Sequence, residues 1–158
     1  MLHKKILILA FSATLLSACA ISTPAPLTPL EIQTIQTREF EEDKSIVFAS
    51  VISVFQDLGY TISNADKDTG LISAESATQS DEASQFFTGM LASSQTKATG
   101  FVERIGDFTR VRLNFVSTTH TSSLYGQTSR KDKPILDTVV YENAFEKIAN
   151  AIFVRSAN

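Results

Sequence analysis

The sequence predicts an α+β fold, an antiparallel sheet of about four to five strands with two helices packed on one face. Three observations lead there. Residues 43–58 carry a helical apolar stripe, residues 98–117 alternate as a hairpin with one covered face, and residues 137–154 return to helical spacing. The expected order is strand, helix, two strands, a short helical insertion, two strands, helix.

The chain opens on a different physical problem. His3, Lys4 and Lys5 form a short basic region, and Ile6 to Leu16 is an apolar run interrupted only by Ser12 and Thr14. A helical run this short falls well below the ~20 residues needed to cross a ~30 Å hydrocarbon core. A basic start followed by such a run reads as a signal peptide, residues 1–18. It ends in Leu16-Ser17-Ala18-Cys19, which resembles a lipobox: one branched apolar residue and two small ones before a cysteine that accepts a diacylglycerol. Cys19 is the chain's one cysteine, so lipidation at Cys19 is the expected modification. Several acyl chains, at ~0.8 kcal/mol per buried CH₂, anchor a protein stably to a bilayer. Ala20 stands where an aspartate would mark inner-membrane retention, so the expected location is the outer membrane, facing the periplasm.

Without residues 1–18 the chain keeps twelve basic and seventeen acidic residues, a net charge of −5. That balance argues against nucleic acid, whose affinity comes largely from neutralised phosphates. It argues equally against broad electrostatic contact with anionic lipid. With Cys19 acylated no thiol remains for a disulfide, a metal or a nucleophile. Stability must come from packing; the chain has no Trp, but eleven Phe and three Tyr supply bulk.

Residues 19–35 contain Pro24, Pro26 and Pro29 among small polar residues, and read as a lipidated cysteine followed by a semi-rigid tether. Residues 36–155 read as one α+β domain. Ile35 to Phe40 forms a first strand. From Asp43 to Leu58, Val47, Phe48, Val51, Ile52, Phe55 and Leu58 make one helical stripe, with Asp43 as cap and Gly59 beyond the end. Tyr60 and Ile62 alternate with Thr61 and Ser63, and Leu71 to Glu75 is the return strand after a segment dense in turn formers. Ala98 to Ile105 and Phe108 to Ser117 form a second hairpin, turning at Gly106-Asp107 as a type II′ turn allows. That register sets Val102 opposite Val111 and Glu103 opposite Arg110. Tyr141, Phe145, Ile148 and Ile152 give the closing helix its stripe.

The run Val51-Ile52-Ser53-Val54-Phe55-Gln56-Asp57-Leu58-Gly59-Tyr60-Thr61-Ile62, followed by Asp66, Asp68, Gly70, Leu71 and Ile72, resembles the repeated domain of BamC-type lipoproteins. Over residues 45–76 the resemblance implies a helix-grip fold, a sheet cradling a long helix. BamC is an accessory part of the machinery that inserts β-barrels into the outer membrane. A broader resemblance, over residues 37–154, is to a group of proteobacterial lipoproteins. These share the Gln-Asp-Leu-Gly-aromatic stretch (Gln56 to Tyr60), a Gly-Gln-x-Ser-Arg segment (Gly126 to Arg130) and a final Tyr-x-x-x-Phe helix (Tyr141, Phe145). That group brings no function with it.

Motifs for chemistry are sparse. His120 is the one histidine outside the signal segment, in a polar stretch that reads as loop, and no Gly-x-Ser-x-Gly elbow activates a serine. Asn64, Asp66, Asp68 and Glu75 echo a calcium loop, but the glycine falls one place late and strands flank it, so a plain turn is the better reading. No enzyme, no cofactor and no metal are therefore expected. Two segments are candidates for partner or ligand contact. In Ser80 to Ser93, Phe86, Phe87, Met90 and Leu91 fall with Ala83 on one face of an expected short helix, which either packs on the sheet or docks a partner. Thr118 to Pro134 reads as a long polar loop carrying Leu124 and Tyr125, then Arg130, Lys131 and Lys133. The leading expectation is a non-catalytic, protein-binding accessory lipoprotein of a cell-envelope complex. The alternative is a carrier or sensor of an apolar ligand or lipid held between sheet and helix.

Overall fold

The structure is a computed structural model, and it describes residues 26–81, 90–123 and 126–157. Among these residues are three helices and one antiparallel sheet of seven strands.

Helix α1 (Pro29–Gln36) occupies the end of the segment expected to be tether. Thr28 caps it reciprocally: its hydroxyl accepts from the Glu31 N–H at 3.3 Å, and its own N–H donates to Glu31 Oε2 at 2.7 Å. Pro29 fills the first helical turn, where a missing N–H costs nothing. Strand β1 (Thr37–Phe40) follows directly, so Ile35 and Gln36 belong to the helix and not to the strand.

Helix α2 (Lys44–Asp57) buries Val47, Phe48, Val51, Val54 and Phe55. Asp43 is its N-cap by backbone conformation, although the carboxylate makes no capping hydrogen bond. Gly59, with φ 83°, reverses the chain into β2 (Tyr60–Asp66), which pairs with β3 (Leu71–Ser76). The connecting turn is held by Asp66, whose Oδ1 accepts from the N–H groups of Asp68 (2.9 Å) and Thr69 (3.4 Å). The turn formers thus serve the backbone.

After the short β4 (Gln79–Asp81) come two strands of sixteen residues, β5 (Met90–Ile105) and β6 (Phe108–Ser123). Their register sets Val102 opposite Val111 and Glu103 opposite Arg110, as the alternation predicts. Gly106 has φ 58° and Asp107 does not share the positive sign, which fits type II′ and excludes type I′. Strand β7 (Thr128–Pro134) pairs with the end of β6, and α3 (Thr138–Ser156) closes the chain, capped by Asp137.

The sheet has seven strands instead of four or five, and there are three helices. The insertion expected as one short helix over 80–93 begins and ends in strand: Ser80 lies in β4 and Met90 and Leu91 in β5, while 82–89 lie outside the described residues. The segment 118–134, expected as loop, is the end of β6 and all of β7 apart from a short connection. Its strands escape a hydrophobic-period reading because hydroxyl and charged residues occupy both of their faces.

The sheet has two unequal parts. In the first, strands run in the order β1-β6-β5-β3-β2. One face of it, bearing Ile72, Ala74, Ala98, Val102, Val111, Leu113 and Phe115, is buried with the apolar sides of α2 and α3 in one core. Phe55, Tyr60, Phe115 and Tyr141 form a chain of ring contacts with centroids 5.3–6.2 Å apart. In the second part, β5 and β6 run on and take β4 and β7 as new neighbours. The seam on the β6 side is closed by Tyr141, whose hydroxyl donates to the Ile135 carbonyl at 2.8 Å. It also accepts from the Phe115 N–H at 3.4 Å. On the β5 side Ser76 fills the seam, its hydroxyl accepting from the Thr96 N–H at 2.9 Å.

Candidate functional site

The four-stranded part β4-β5-β6-β7 is built from small hydroxyl side chains. Its rows can be read across the ladder: Ser80, Ser93, His120 and Arg130 are successive cross-strand partners, and so are Asp81, Ala92, Thr121 and Ser129. Thr has strand propensity without needing a core, and the ladder to β5 supplies the rest. These rows line an open concavity of about 550 Å³, bounded by Ser80, Ala92, Ser93, His120, Thr121, Ser122, Thr128, Ser129 and Arg130.

Its charges are already engaged. Arg130 donates from Nε and Nη2 to the two oxygens of Asp132, at 3.2 and 2.9 Å. Thr118, 1% exposed, donates to the same carboxylate at 2.7 Å. Hydrogen bonds from Arg130, then from Thr118, hold the Asp132 carboxyl below the usual carboxylate range, and Asp132 in turn raises Arg130. Nearer the core, Lys97 and Glu75 pair at 3.0 Å, and Gln95 donates to Glu75 at 3.4 Å. The site therefore offers hydroxyls, an exposed imidazole and strand backbone, with its guanidinium neutralised locally. Among the described residues no serine hydroxyl is hydrogen-bonded to the imidazole. No group of three or more His, Cys, Asp or Glu there could hold a metal ion.

The structure bears unevenly on the residues singled out from sequence. Cys19, Phe86, Phe87, Leu124 and Tyr125 lie outside the described residues. Met90 and Leu91 are in β5, paired with Ser123 and Ser122. That pairing is informative. It sets the start of β5 beside the end of β6, at one end of the same hairpin. His120 sits within strand β6 and not in a loop, exposed and between Ser93 and Arg130. Arg130, Lys131 and Lys133 are on the edge strand β7, where charges also discourage unwanted pairing. The sequence reading missed Ser80, Ser93, Thr121, Ser122, Thr128 and Ser129. The available signal was the run Ser117-Thr118-Thr119-His120-Thr121, rich in β-branched residues.

The molecule is thus a mixed α+β protein with one large antiparallel sheet, partly covered by helices. No protein-family model matches the chain, and no curated protein does. Among solved structures, it is similar to the crystal structure of a DUF4468 family protein from Bacteroides ovatus. The identity is 11%, the match covers 73% of this chain and 84% of that one, and the TM-score is 0.38. Among the described residues no helix is long and apolar enough to cross a membrane.

Proposed function

We propose that this chain is an acylated lipoprotein, anchored at Cys19 on the periplasmic side of the outer membrane, that binds a protein partner within a cell-envelope complex and performs no chemistry itself. In this reading the arrangement of α2 and α3 on the sheet is of the helix-grip type. The likeness of residues 45–76 to BamC-type domains supports an accessory role, and that of 37–154 to proteobacterial lipoproteins supports the lipid anchor. The observation that carries the binding assignment is the pairing of Met90 with Ser123, which ends the β5–β6 ladder on the part of the sheet that bears the hydroxyl-lined concavity. In this reading the contact side chains are Phe86, Phe87, Leu124 and Tyr125, which lie in sequence between these polar strands.

The alternative, an apolar ligand held between sheet and helix, meets a packed interior. Phe55, Phe115 and Tyr141 are at most 1% exposed and occupy that space. A ligand there would have to displace them.

The test is photo-crosslinking in intact envelopes, with the crosslinker at Ser122 or, as control, at Asn64 on the outer strand β2. A defined envelope protein should be captured from Ser122 only, and lost in a folded Phe86→Ser, Phe87→Ser variant. Equal capture from both positions, or capture unaffected by the variant, would reject the distal end as the binding site.

A further inference from the structure

We infer that the outer side of α1 and the chain just before it rest on the lipid surface, so that the protein docks on the bilayer and does not stand off from it. This rests on the proposed acylation of Cys19. Because α1 is folded against the core, the tether is shorter than the sequence implies. Ile32, Ile35 and Gln36 are partly buried, and Gln36 Nε2 donates to Tyr141 OH at 3.4 Å and to Asn114 Oδ1 at 3.5 Å. The chain between Cys19 and Leu27 therefore spans eight residues, which reach at most ~28 Å from the acylated cysteine.

On arrival the chain presents apolar surface. Leu27 is 39% exposed and Leu30 72%. Leu30 shares its helix face with the exposed Gln33 and Thr34, three and four residues on. Val139 (58%) and Val140 (37%), in the first turn of α3, are exposed as well. Tethering to so short a radius gives these side chains a high effective concentration at the bilayer, so a contact too weak for a free protein becomes populated. Lysine and arginine are absent from residues 26–36, and Glu31 is folded back onto Thr28. The recognised surface is therefore acyl chain and glycerol region, not an anionic headgroup.

The experiment uses the mature acylated chain in phosphatidylcholine vesicles. A nitroxide is placed at Gln33→Cys or, as control, at Asn64→Cys, and its collisions with oxygen and with a water-soluble nickel chelate are measured. At position 33 nickel collisions should fall several-fold relative to position 64, unchanged by salt, and Leu27→Ser with Leu30→Ser should restore them while the chain stays on the vesicles. Acylated chain with both probes fully water-exposed overturns the docking and leaves the anchor standing. Protection that survives the double leucine variant overturns the assignment to these residues. A chain that incorporates no fatty acid and is indifferent to Cys19→Ala overturns anchor and docking together.

Discussion

Gly59 and Gly70 show how one residue type answers to two different constraints. Both have φ near 80°, a region that costs an L side chain about 1–2 kcal/mol. At Gly59 nothing lies within 4 Å of where a Cβ would stand. At Gly70 that Cβ would lie 1.9 Å from the Val102 carbonyl oxygen, which is backbone and cannot rotate away. The Gly70 carbonyl also accepts from the Val102 N–H at 2.9 Å, locking the turn to β5. Gly59→Ala should therefore cost about 1 kcal/mol and Gly70→Ala about 3 or more, read as shifts of the urea midpoint. Equal losses would mean that the turn moves away from β5 freely. Sequence alone marks both glycines as punctuation. It does not show that Gly70 lies against Val102, because that contact joins residues from separate hairpins.

Elements that bury a stripe were legible, and those held by caps or by neighbouring strands were not. The α2 stripe and the Tyr141, Phe145, Ile148, Ile152 stripe of α3 could be read by spacing, since one covered face imposes a period. Helix α1 has no buried residue, and its proline reads as tether. Its legible signal was the Thr28-Pro29-Leu30-Glu31 start, a capping box with proline in the first turn. That box makes a pH prediction. Hydrogen bonding from the Thr28 N–H, then from its hydroxyl, lowers the Glu31 pKa. A lowered folded value means that the contribution is complete above the unfolded carboxylate value of ~4.3, and is lost as pH falls through the lower folded one. Helix α1 should thus fray only in acid, with the amides of residues 31–34 gaining exchange there. Glu31→Gln should remove that acid step. A Glu31 carboxyl that titrates by NMR at or above ~4.3 would sink the argument.

At the scale of the whole molecule, the sheet's two parts differ in what holds them. The β1-β6-β5-β3-β2 part is clamped by α2 and α3, closely enough that a Cβ on Gly100 would lie 3.3 Å from Val51 Cγ1. The β4-β5-β6-β7 part has ladder hydrogen bonds, small hydroxyls and exposed ion pairs such as Arg130–Asp132, which contribute little individually. Opening free energy should therefore fall along β5 and β6, from the global value near Val111 and Leu113 to a lower local value near Thr119 and Thr121. Phe115→Ala separates the two. Phe115 is 1% exposed and meets Phe55, Tyr60 and Tyr141, so its truncation should cost about 3–5 kcal/mol globally. Amides that exchange only by global unfolding must speed up by that full amount. Amides at Thr119 and Thr121, if they exchange by opening the distal part alone, should hardly change. Native-state hydrogen exchange on both proteins reads this directly. Acceleration in parallel at all four positions would show one cooperative sheet. Acceleration confined to the covered part would show a β4-β5-β6-β7 part that opens on its own while the core stays folded.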